Sequence, residues 1–182
     1  MTTNVKLWDP LVRLFHWSLA LSFFANYFFT EEGEDWHRWI GYYAFAWLLV
    51  RIVWGFTSGG AASWRECWPT ASRLKSHLKL LVSGGVHRHL GHSPIGALVM
   101  IMMMTAMFGL GISGYMMEEI DMFWGEDWVE NLHESIANIL AALVSIHIIA
   151  AIVESIRLGE NLPLSMVTGK RKNISLRNKS HQ

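Results

Sequence analysis

Four histidines, His16, His37, His133 and His147, stand inside or at the edges of long apolar runs, where an ionisable side chain needs a specific reason to be. Taken singly, each is explained as well by a neutral imidazole bonded to a neighbouring helix as by metal ligation. Their spacing is more restrictive. His133 and His147 are fourteen residues apart, which on one helix leaves them about 40° apart around the axis and about 21 Å apart along it. One helical face thus offers two ligands at two depths. His16 lies near the start of its run and His37 at the start of the next, so antiparallel helices level His16 with His147 and His37 with His133. The opposite pairings are offset by roughly 20 Å. Two neutral imidazoles facing each other suit a six-coordinate, low-spin haem iron with no open position, which favours electron transfer over oxygen chemistry. A single small metal ion wants about four ligands around one point, and these histidines come as distant pairs. The lone cysteine, Cys67, excludes a disulfide framework, an iron-sulfur cluster and c-type haem attachment.

The elements that must carry these residues read as membrane spans. Of 182 residues, 52% are hydrophobic and only 16% charged, and the mean hydropathy is +0.24, so an integral membrane protein is expected rather than a soluble globule. Formal charge is zero, without the basic excess that nucleic-acid binding requires. Four charge-poor stretches are long enough to cross about 30 Å of hydrocarbon: about Pro10 to Phe29, His37 to Phe56, Pro94 to Met117, and His133 to Ile156. Asp9-Pro10 and Ser93-Pro94 repeat a cap-then-proline start signal. An all-α, four-helix transmembrane bundle follows, over Met1 to Leu158. Gly159 to Gln182 is expected as a basic, polar tail.

Charge segregation sets the orientation. Ten of the fifteen acids fall in the connections Thr30 to Trp36 and Glu118 to Leu132, which hold no Lys or Arg, whereas thirteen of the fifteen basic residues fall on the other side. By the positive-inside rule both termini are cytoplasmic. Between the second and third spans, Leu74, Leu78 and Leu81 recur at helical spacing opposite Arg73, Lys75 and Lys79. Two readings stay open for that segment: a helix on the anionic lipid surface, or an amphipathic helix packed on the bundle. Trp36, Trp39, Trp124 and Trp128 are placed for an interfacial belt, and Met100, Met102, Met103, Met104 and Met107 cover too many helix faces to be axial ligands.

The segments Trp8-Asp9-Pro10-Leu11-Val12-Arg13-Leu14-Phe15-His16-Trp17, His37-Arg38-Trp39-Ile40-Gly41-Tyr42, Gly91-His92-Ser93-Pro94-Ile95-Gly96-Ala97 and Leu132-His133-Glu134-Ser135-Ile136-Ala137-Asn138, followed by His147, resemble the bacterial cytochrome b561 family, itself related to the b-type cytochrome subunits of nickel-iron hydrogenases. The likeness runs in order from about Lys6 to Leu158. It implies a four-helix inner-membrane cytochrome with two haem b groups, axial ligands on His16, His37, His133 and His147, and electron exchange with quinone or quinol. Arg13, Arg38 and Arg51 are candidate partners for haem propionates, with snorkelling to lipid phosphates as the competing reading. Gly41 would admit a flat macrocycle or a close helix neighbour. His87, His89 and His92 read as a titratable loop before the third span.

The leading expectation is a non-catalytic electron carrier between the quinone pool and a periplasmic redox partner such as a c-type cytochrome, drawn by the acidic outer face. Two alternatives stand beside it. A superoxide:quinone oxidoreductase would want cations where this chain has acids. A membrane-anchor subunit of a dehydrogenase or hydrogenase would resemble relatives that carry a further helix.

Overall fold

The computed structural model describes residues 4–83 and 93–172. His87, His89, His92 and the end of the chain beyond Lys172 lie outside the described residues. Asp9 Oδ1 accepts the Leu11 amide at 2.7 Å and Pro10 takes the first helical position of α1, Pro10–Phe29. A tight turn leads to α2, Asp35–Thr57. A short helix, α3 (Trp64–Cys67), and the amphipathic α4 (Ala71–Val82) follow. Ser93 Oγ then accepts the Gly96 amide at 3.1 Å and Pro94 opens α5, Pro94–Glu119. The longest helix, α6 (Asp127–Leu158), starts six residues before the apolar run at His133. Its first turn carries Asp127 and Glu130, which favour a helix N-terminus even though they are not apolar. It stops at Gly159 in the left-handed region.

Packing runs α1 on α2, α2 on α5 and α5 on α6. The helices α2, α5 and α6 are each long and apolar enough to cross a membrane. Arg13, His16 and Asn26 lower the hydropathy of α1, which does not reach that level among the described residues. The bundle is apolar outside rather than inside: Leu21, Phe28, Ile139, Ile149 and Val153 are all half or more exposed, or close to it. That is the pattern of helices solvated by lipid. The packed interior is correspondingly small, with Leu48 and Val129 fully enclosed and Ala97 and Ser113 nearly so.

At the end carrying both termini, the segment after Gly159 is built rather than featureless as far as Lys172. Asn161 Oδ1 caps α7, Leu162–Thr168, by accepting the Leu164 amide at 2.9 Å. Strand β1 (Asn4–Lys6) pairs antiparallel with β2 (Lys170–Lys172). Gly169 takes φ 75° at the end of α7, and its carbonyl accepts the amides of Leu7 and Trp8. A side chain there would press on the Arg13 guanidinium and the Trp8 carbonyl, both 3.3 Å from a built Cβ, so glycine suits the position on two counts. Trp8 Nε1 donates to Ser165 Oγ at 3.3 Å, and Arg171 pairs with Glu160 at 3.2 Å with both side chains 9% exposed.

Of the two readings of the amphipathic segment, packing on the bundle is the one its contacts show. Helix α4 packs against α5 and buries His77, while Arg73, Lys75 and Lys79 stay exposed.

Candidate functional site

The turn between α1 and α2 and the turn between α5 and α6 lie at the end opposite the termini, and they bring two histidines together there. The rings of His37 on α2 and His133 on α6 stand 6.2 Å apart, centre to centre. Toward the other end, the rings of His16 on α1 and His147 on α6 stand 6.4 Å apart. All four side chains are half-buried. A metal–nitrogen bond of about 2.0 Å, with a further roughly 1.1 Å from nitrogen to ring centre, would set two axial imidazoles of one metal about 6.2 Å apart. Both pairs match that separation.

The far-end pair lines a cavity of about 580 Å³, within the roughly 300–1,000 Å³ usual for cofactor-sized ligands. Gly41, Gly111 and Gly114 also line it. A Cβ on Gly114 would lie 3.5 Å from His133 Cε1, and one on Gly111 would overlap the Phe45 ring. The walls are therefore drawn close by the lack of side chains at these positions. Helix α6 is bridged to α1 by a polar contact of the same region, Tyr27 Oη donating to Asn138 Oδ1 at 2.8 Å.

Hydrogen bonds fix the far-end imidazoles. Ser113 Oγ donates to the Gly109 carbonyl at 2.9 Å, and His133 Nδ1 lies 2.8 Å from the same hydroxyl oxygen. Thr30 Oγ1 likewise donates to the Asn26 carbonyl at 3.2 Å and stands 3.0 Å from His37 Nδ1. An imidazole that binds a metal through Nε2 carries its proton on Nδ1, and each hydroxyl oxygen stands where it can accept that proton while donating its own to a helix carbonyl. Asn26 Nδ2 also donates to the His37 carbonyl at 2.9 Å, bracing the helix start. At the other end, His16 Nδ1 is buried without a hydrogen-bond partner and the ring meets Trp17 edge-on at 5.2 Å. Neither Thr30 nor Ser113 stood out in the sequence. A hydroxyl within one helical turn of a cap at Thr30 was a weak signal, and the Ser113 contact depends on how α5 and α6 are rotated against each other.

The three arginines go to three different places. Arg13 Nη1 donates to the Val167 carbonyl at 2.6 Å, tying α1 to α7. Arg38 pairs with Asp35 and, at 3.1 Å, with Glu118, linking α2 to the end of α5. Arg51 is 2% exposed, under the Trp64 ring at 4.4 Å and 6.0 Å from the Phe15 ring. Beside the Arg38–Glu118 pair, Tyr42 donates to Glu119 at 2.8 Å. Trp36, Trp39, Trp124 and Trp128 are all more than half exposed at the far end. Among the described residues no group of three or more His, Cys, Asp or Glu side chains is placed to hold a metal ion by itself, so paired ligation is the chemistry this arrangement offers.

Two facing histidine pairs, each built from α6 and one neighbouring helix and set in a bundle of apolar helices, are what a protein needs to hold planar metal cofactors at two depths. The family model for prokaryotic cytochrome b561 matches residues 7–169. A comparison with curated proteins returned no match. The chain belongs to the prokaryotic cytochrome b561 family, and is a multi-pass membrane cytochrome of the b-haem, electron-transferring kind.

Proposed function

We propose that the chain carries electrons across the inner membrane through two haem b groups, between the quinone pool and a periplasmic redox partner such as a c-type cytochrome. The four-helix bundle of α1, α2, α5 and α6 spans the membrane with both termini in the cytoplasm. His16 with His147 would hold the cytoplasmic-side haem, and His37 with His133 the periplasmic-side haem. The observation that carries this reading is the pair of imidazole separations, 6.4 Å and 6.2 Å, on ligands two depths apart. Haem iron supplies a one-electron couple when bound. The protein's part would be to supply two imidazole ligands at each site, an arrangement that disfavours chemistry on oxygen. Lipid-facing apolar rows on the helices hold both sites in the membrane.

The acidic far end supports a cationic protein partner over an anionic substrate. Arg38, the one Lys or Arg among the described residues lining this cavity, is already paired with Asp35 and Glu118. A carrier is favoured over a superoxide oxidase on this ground.

The test is stopped-flow transfer with purified protein in lipid. Quinol should reduce the Soret and α bands, and added oxidised basic c-type cytochrome should reoxidise them. Reduction by dithionite but by no quinol at any rate above background would refute the role.

A further inference from the structure

The two histidine pairs are not equivalent. At the far end each imidazole Nδ1 lies within hydrogen-bond distance of a hydroxyl that is itself anchored on a helix carbonyl, His37 facing Thr30 at 3.0 Å and His133 facing Ser113 at 2.8 Å, so that ligation through Nε2 would make each Nδ1–H a donor to that hydroxyl. At the termini end, His16 Nδ1 is buried with no partner. A hydrogen bond accepted from Nδ1–H pushes electron density toward Nε2 and makes the imidazole a more basic ligand. A more basic ligand stabilises the ferric over the ferrous state, because ferric iron carries the extra positive charge.

The surrounding charges act in the same direction. Arg38 also lines the far-end cavity but is paired with Asp35 and Glu118, and beyond that pair Glu32, Glu34 and Glu130 line the same cavity; carboxylates near an iron also favour the ferric state. Toward the termini end, the Arg51 guanidinium is buried beside Phe15, the residue preceding His16. A buried cation opposes the gain of positive charge on oxidation and so favours the ferrous state.

We infer that Thr30 and Ser113 are positioning residues which, acting through His37 and His133, make the far-end haem the lower-potential centre of the two. A single electron entering the oxidised protein then rests on the termini-end haem. Transfer from the far-end haem inward then runs downhill, and transfer from the termini-end haem outward runs against a step. This inference rests on the two-haem reading above.

Redox potentiometry of the purified, haem-loaded protein tests it, read as two waves in the α band. Ser113→Ala and Thr30→Val should each move the lower wave upward by severalfold in its reduction equilibrium and leave the upper wave in place. Together they should approach tenfold, which is about 59 mV for one electron. Thr30→Ser keeps the hydroxyl and should restore the original position. Thr30 sits at the exposed end of α1 while Ser113 is enclosed, so Thr30→Val serves where Ser113→Ala does not fold. Movement of the upper wave, or no movement of either with both haems retained, overturns the inference. So does a Thr30→Ser shift as large as that of Thr30→Val. An unaltered protein with fewer than two haems per chain would instead sink the underlying reading, and the haem count made on the same sample separates the two failures.

Discussion

Replacing Gly55 with alanine should destabilise the protein even though alanine is the better helix former. Gly55 is in the last turn of α2, and a Cβ there would overlap the Trp64 indole. The indole is fixed by two contacts. Its Nε1 donates to the Ile52 carbonyl at 3.0 Å, and its face covers Arg51 at 4.4 Å. Pushing it away loses the hydrogen bond, about 1 kcal/mol, and a desolvated cation–π contact, about 2 kcal/mol. Against this, alanine gains about 1 kcal/mol over glycine in a helix interior. The net loss is about 2 kcal/mol, which for a chain of this size lowers the melting temperature by about 4–8 °C. Thermal unfolding in detergent, followed by circular dichroism, measures it. Gly59→Ala is the control, since nothing lies within 4 Å of a Cβ at that position, and it should leave the transition in place. In a Trp64→Ala background the obstacle is gone, so Gly55→Ala should turn stabilising. A Gly55→Ala protein as stable as the unaltered one would mean that helix propensity prevails and that Trp64 is not held as described.

Three further outcomes are expected. If the acidic far end receives a basic c-type cytochrome, the second-order transfer rate falls as ionic strength rises across a Debye length of about 10 Å at 0.1 M, and a rate that climbs with salt contradicts a cationic partner. Glu160→Gln removes one side of an enclosed ion pair with Arg171. A loss of about 3 kcal/mol would open the β1–β2 pair roughly a hundredfold more often, so trypsin should cut after Lys170 much sooner, and unchanged cleavage would show the pair to be dispensable. Tyr27→Phe breaks the α1–α6 bridge to Asn138 at about 1 kcal/mol, and the melting temperature should drop by about 2–4 °C.

Much of the helical layout was readable because its signals are local. Asp9-Pro10 and Ser93-Pro94 cap α1 and α5 through side-chain contacts two and three residues away, and a helical period fixes which histidines share a face. The approach of His16 to His147 and of His37 to His133 follows from depth alone once four antiparallel helices are assumed. What depends on rotation about the helix axes was not readable. Ser113 reaches His133 across twenty residues and two helices, and no local pattern distinguishes it from the other helix serines that bond their own carbonyls. The start of α6 at Asp127 was hidden by reading apolarity as the mark of a helix, although an acidic first turn is itself a start signal. Helix α7 likewise lacks a long apolar run, and its start is marked only by the Asn161 cap and Pro163 in the first turn. Haem and lipid are the partners the sequence offers Arg13, yet its guanidinium reaches the Val167 carbonyl, a partner brought near by α7 folding back on α1.

The most direct measurement is the pyridine haemochrome count, set against protein concentration, for the unaltered chain and for His133→Ala and His147→Ala. Two haems per chain are expected, with one remaining after either substitution and different α-band positions in the two variants. One haem in the unaltered protein, or complete loss from a single substitution in a chain that still folds, would contradict two independently held cofactors.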